Sequence, residues 1–212
     1  PEVVEAFMRA MQSAEDGAWP THSEAEYQIA TRWNHSGTTG DPITIYWSLV
    51  PDGTSWDGAP SNLFNTMLVR FILSGGQAAW INAIQSSFDR WEALTGIDFV
   101  RVRWNGNEWD DGAAFGNGYS AGLRGHIRIG MNSIDGGGGV LAYNYYPQNG
   151  DMKLDSAESW ASPADNFRFM RNIVTHELGH AIGIAHVCSN NSLQLMEPYL
   201  DTSFDGPQHD DT

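Results

Sequence analysis

Three histidines and a glutamate stand within one run of eleven residues, His176-Glu177-Leu178-Gly179-His180-Ala181-Ile182-Gly183-Ile184-Ala185-His186. On a helix, positions i and i+4 lie one above the other, so His176 and His180 project to the same side. Two neutral imidazoles on one face suit a zinc ion. His186 lies six residues past His180, where a continuing helix would turn it away. Gly183 resolves this, because glycine readily takes a left-handed conformation and can turn the chain back. Three histidines with a fourth position open make a catalytic zinc site rather than a structural one. Glu177, next to a ligand, flanks the metal without binding it. A carboxylate there can take a proton from water and return it to a leaving amine. A bare pair of helix histidines could be merely solvated; the full pattern, with its glycine and third histidine, argues against that reading.

The elements that must position these residues can be read around them. The motif closes a helix predicted to start at Ser162, a candidate N-cap, with Pro163 at the first helical position and Asp165 near the positive end. Phe167, Met170, Val174 and Ala181 mark its buried face. A second helix is predicted over Gln77–Leu94, with Trp80, Ile84, Phe88, Trp91 and Leu94 on one face and Gly96 placed to end it. Ile43, Ile45, Trp47 and Leu49 alternate with polar residues as in a half-buried strand. Ile97–Val102, Ile127–Met131 and Val140–Tyr146 read as three more. Val3–Met11 reads as a short amphipathic helix, and residues 50–76 as mostly loop, with an apolar stretch from Leu68 to Leu73. This order suggests an α+β fold, a mixed sheet packed against helices.

Composition narrows the function further. The chain has 212 residues, suited to one domain, and 41% of them are hydrophobic, enough to bury a core. No apolar run approaches the roughly 20 residues of a membrane helix. The net charge of −15 argues against a nucleic-acid partner. It fits a soluble, secreted surface with some carboxylates held back for calcium. Cys188 is the single cysteine, which excludes an internal disulfide. The sequence starts at Pro1 without a visible signal peptide, as in a mature or trimmed form.

With these residues in place the sequence resembles the metzincins. Met196, in Leu-Met-Glu-Pro-Tyr, matches the methionine turn that forms an apolar floor beneath the zinc in that group. Pro198 two residues later, rather than a tyrosine, resembles the matrixins, the matrix-metalloproteinase-like branch, and a bacterial one. The stretch from Asp135 to Pro147 (DGGGGVLAYNYYP) is similar to the matrixin "DGxxGxLAHAxxP", and Asp151–Trp160 (DMKLDSAESW) to "DAHFDxDExW". Residues 205–211 resemble the approach to the last matrixin helix. The likeness runs from about Ile43 to the end and leaves residues 1–40 as an N-terminal segment of unclear role before a catalytic domain over 41–212, with the last family helix missing.

The resemblance implies a zincin-like catalytic domain: a mixed, mostly parallel twisted sheet with an active-site helix and a backing helix. It implies a secreted zinc endopeptidase acting on peptide or protein substrates. It also implies calcium held by Asp135, Asp155 and Glu158 with the carbonyls of Gly136, Gly138 and Val140. Leu141 and Ala142 would lie on the sheet edge to which a peptide adds as a strand. Pro198 and Tyr199 would line the S1′ pocket, with Asn172 at its bottom. Two departures matter. Tyr143 and Lys153 stand where the family places histidine ligands of a second, structural zinc, so one zinc is expected rather than two. The latency segment "PRCGxPD" is missing, as in an activated form, and Cys188 reads as a small buried thiol. Competing readings are a catalytically weak or regulatory binding protein on the same scaffold, which would usually lose Glu177 or a histidine, and an aminopeptidase, which would need an acidic cluster beside the motif.

Overall fold

The computed structural model describes residues 28–38, 40–164, 166–187 and 194–205. The helix expected over Val3–Met11, Asp165, Cys188 and residues 206–212 lie outside them. The strands are β1 (Gln28–Ile29), β2 (Ile43–Leu49), β3 (Ser55–Trp56), β4 (Ala59–Pro60), β5 (Ile97–Arg101), β6 (Ile127–Asn132), β7 (Ala142–Asn144), β8 (Met152–Asp155) and β9 (Ile184–Ala185). The helices are α1 (Leu63–Phe71), α2 (Gly76–Leu94) and α3 (Arg168–Ile182).

The main sheet has five strands in the order β5-β2-β6-β8-β7. Its first four are parallel neighbours, and β7 runs antiparallel to β8 at the edge. This is the mixed, mostly parallel α+β arrangement expected. Strand β6, in the middle, is buried at every residue, as a parallel strand covered on both faces must be. On one face lie α2 and α3. Trp80, Ile84, Phe88 and Trp91 of α2 are buried as their spacing predicted. Phe88 stacks on Trp47 of β2 with ring centroids 4.2 Å apart, and the Trp91 indole donates to the Thr175 carbonyl of α3 at 2.8 Å. The backing helix is thereby bonded to the helix that carries the histidines. On the other face the connection between β5 and β6 is fixed by a fully buried ion pair: Asp110 accepts from Arg128 Nε at 2.8 Å and from the Ser48 hydroxyl at 2.8 Å.

Four sequence expectations need correction. The histidine-bearing helix α3 begins at Arg168, not at Ser162–Pro163; Asn166 and Phe167 hold φ of 56° and 61°, a left-handed break that helical geometry cannot span. Helix α2 ends at Leu94, and Thr95 rather than Gly96 caps it, its hydroxyl and N–H both donating to the Trp91 carbonyl. Residues 50–76, read as loop, contain the β3–β4 hairpin and α1. The strand expected over Val140–Tyr146 is confined to Ala142–Asn144, and Met152–Asp155 adds a strand not expected.

Candidate metal centre

Helix α3 delivers the first two histidines, and a left-handed stop delivers the third. Gly183 has φ 104°, and its N–H closes the helix on the Gly179 and His180 carbonyls. The chain then reverses through Ile184 and Ala185. His186 Nε2 arrives 3.2 Å from His176 Nε2 and 3.1 Å from His180 Nε2. Nitrogens about 2.0–2.1 Å from a tetrahedral zinc would stand about 3.3 Å apart, close to these separations. The outer ring atoms are anchored as well. His176 Nδ1 donates to the Leu195 carbonyl at 2.6 Å and His180 Nδ1 to the Ile184 carbonyl at 2.8 Å. A carbonyl can only accept, so each Nδ1 carries the proton and each Nε2 presents its lone pair. Carbonyl partners of this kind fix the tautomer and orientation of metal-ligating imidazoles.

Electrostatics agree with ligation. Burial lowers the His176 pKa, with the Leu195 carbonyl acting weakly against it. Burial and the neighbouring His176 and His186 hold His180 well below the usual imidazole range. Burial, then His176, brings His186 down to about 3. All three are neutral bases near pH 7, as metal ligands must be. Inward-facing lone pairs repel unless a shared cation lies among them, so this donor set fits zinc. Among the described residues these three are the only group of His, Cys, Asp and Glu side chains converging closely enough to hold an ion.

Glu177 is 6% exposed. Its Oε2 is buried without a hydrogen-bond partner. Burial pushes its carboxyl up to about 8, opposed by the Asn144 backbone amide of β7. A cation on the histidines would favour the charged form. The edge strand thus runs beside the carboxylate, with Ala142 in the strand and Leu141 just before it.

Met196 lies under the helix: a Cβ on Gly179 would overlap its sulfur. The Met196 carbonyl also accepts from Val187 N–H at 2.9 Å, directly after the third histidine. Met196 and its neighbour Leu195 therefore hold both ends of the ligand run. Pro198 is half-buried and Tyr199 is exposed in the turn that follows. Asn172 is buried, not solvated. It donates to the Asp201 and Phe204 carbonyls at 3.0 and 2.9 Å and so ties this downstream turn to α3.

The residues expected around calcium form a tight loop. Asp155 accepts from the Asp135 and Gly136 amides, Glu158 from Gly138, and Asp135 from Val140. The carboxylates are turned onto the amides of the glycine-rich turn. Tyr143 and Lys153 share one partner: the Tyr143 hydroxyl meets the Asp57 carboxylate, and Lys153 Nζ donates to the Asp57 carbonyl at 2.9 Å. Burial and that carboxylate push the Tyr143 phenol far up.

Sequence reasoning missed the N-terminal contact with this site. Strand β1 pairs antiparallel with β9, Gln28 opposite Ala185 and Ile29 opposite Ile184. It also missed the Ile184 and Leu195 carbonyls, since a backbone acceptor leaves no residue-type signal.

The matrixin family matches residues 72–212. Human matrix metalloproteinase-16 is 32% identical over 126 residues, covering 55% of this chain and 19% of that protein. Karilysin of Tannerella forsythia is 31% identical over 130 residues, 56% of this chain and 24% of that protein. The hatching enzyme of Paracentrotus lividus is 26% identical over 126 residues, 55% of this chain and 18% of that protein. The chain thus spans less than a third of the length of these relatives. Animal proteins predominate among the matches, so they do not favour a bacterial branch. With a family match over most of its length and a three-histidine metal centre at the end of helix α3, this chain belongs to the matrixin family.

Proposed function

We propose that this chain is the catalytic domain of a secreted zinc endopeptidase, with Glu177 as general base and then general acid. The observation that carries the reading is the convergence of three imidazole Nε2 atoms, one of them on the residue that precedes Glu177, whose Oε2 is buried without a partner. Zinc held there supplies Lewis acidity that polarises a peptide carbonyl and acidifies water. The chain's own residues do the rest. Leu195 and Ile184 hold the rings in register. Glu177 Oε2 takes the proton of the attacking water and returns it to the leaving nitrogen. The β7 edge offers backbone groups to an extended peptide, aligning the scissile bond with Glu177. Pro198 and Tyr199 flank the S1′ side, with Asn172 fixing the turn behind them.

Calcium on Asp135, Asp155 and Glu158 belongs to the same proposal. It is supported by three carboxylates and a glycine-rich loop with φ of 98° at Gly136 and 87° at Gly138. The domain is assigned to residues 41–212. The deciding experiment is cleavage of a peptide library with and without a zinc chelator. Internal cleavage that stops on chelation and returns with zinc supports the reading. Cleavage confined to the first residue, or indifferent to chelation, overturns it.

A further inference from the structure

The turn that carries the third histidine is closed from outside by the N-terminal segment. Ala30 and Thr31 N–H both donate to the Gly183 carbonyl, at 2.8 and 3.3 Å. The Trp33 indole donates to the Ala181 carbonyl at 2.9 Å. Past the end of α3 the chain has no helical bonds of its own, so these contacts replace them on its free side. Gly183 is required twice: its φ of 104° suits glycine, and a Cβ there would overlap the Thr31 carbonyl. The other side of the segment is seated too. Trp33 packs on Gly150, where a Cβ would come within 2.9 Å of the indole, and sets its edge on His126 at 5.4 Å. Gln148 donates to the Arg32 carbonyl at 3.1 Å.

These contacts converge on two ligands. Ile184, paired with Ile29, supplies the carbonyl that orients His180. Ala185, paired with Gln28, immediately precedes His186. We infer that residues 28–33 are a positioning strap for the metal centre, with Trp33 and the Ala30 amide fixing the chain reversal that brings His186 to the other two histidines. The inference rests on the zinc reading above and extends it to a segment to which the sequence assigned no role. Its chemistry is that of an outer shell: partners of the ligands cost about 10–100-fold in metal affinity when lost.

The test uses the full chain and two variants. Trp33→Phe keeps a ring against Gly150 and His126 but removes the indole N–H. Ala30→Pro removes the amide that donates to Gly183. Zinc affinity is measured by competition with a chromophoric chelator, the ligand geometry by the visible spectrum of the cobalt(II)-loaded protein, and the fold by the melting temperature of the metal-free protein. Both variants are expected to bind zinc about tenfold more weakly and to shift the cobalt bands. Parent affinity and an unchanged cobalt spectrum in both variants overturn the inference. A lowered melting temperature with unchanged affinity also overturns it, because the strap is then only structural. Failure of the parent chain itself to bind zinc brings down the underlying metal reading, and the inference with it.

Discussion

Glu177 is where the proposed chemistry is most exposed to a single substitution. Glu177→Gln keeps the volume and leaves the three imidazoles untouched, so zinc stoichiometry should stay at the parent value. Peptide hydrolysis should fall by about 10²–10⁴-fold, the usual contribution of general acid–base catalysis. Metal analysis beside a turnover assay checks both halves. A second buried carboxyl gives a pH dependence unrelated to turnover. Asp151 is 1% exposed, with one oxygen accepting from Gly116 N–H at 2.7 Å and the other without a partner. Burial pushes its carboxyl up to about 7, only partly offset by the Gly116 amide and Arg128. Its folded-state pKa lies above the unfolded value, so the stability it contributes is complete below about pH 4 and is lost as pH rises to 7. Asp151→Asn should therefore be more stable than the parent at pH 8 by on the order of a few kcal/mol, and melt higher. The difference should vanish near pH 4. Melting curves at the two pH values read it directly.

Among the elements, those legible in the sequence were those whose apolar residues fall on one side. Trp80, Ile84, Phe88 and Trp91 announce α2 because its outer face is polar. Helix α1 was hidden for the opposite reason. Leu63, Met67 and Phe71 are buried, but Leu68, Val69, Ile72 and Leu73 are exposed, so the apolar run shows no period. Its start was hidden as well. Asn62, at the N-cap position, makes no side-chain bond to the helix. The cap is remote: Asp52 accepts from the Phe64 and Asn65 amides, each at 2.9 Å. Asp52→Ala should cost about 1 kcal/mol, the usual loss for a removed cap, and lower the melting temperature by about 2–4 °C in a domain of this size. An unchanged melting curve would show that the cap adds nothing. The misplaced start of α3 has a similar origin. Ser162 and Pro163 form a good local signal, but the left-handed Asn166 and Phe167 override it. The metal ligands were legible because histidine, glutamate and glycine are chemically distinct at fixed spacing. Their supports, the Leu195 and Ile184 carbonyls, are common to every residue type and were not.

At the scale of the whole molecule, the expected metal count separates this chain from the pattern its motifs resemble. Purified protein should contain one zinc per chain, because a lysine ammonium at position 153 has no lone pair to offer and Tyr143 is committed to Asp57. Elemental analysis giving two tightly bound zinc ions would refute this. Removing calcium with a selective chelator should lower the melting temperature, since a ligand bound only by the native state stabilises it by mass action. A melting curve indifferent to calcium would remove the calcium assignment. The strap adds a consequence in time rather than in space. Trp33 and Ala181 are 148 positions apart in the chain, and contacts of such separation close slowly because their loop entropy must be overcome first. During synthesis the strap leaves the ribosome long before the helix it fastens. The contact between strap and helix can therefore form only after nearly the whole stretch between Trp33 and Ala181 has been made.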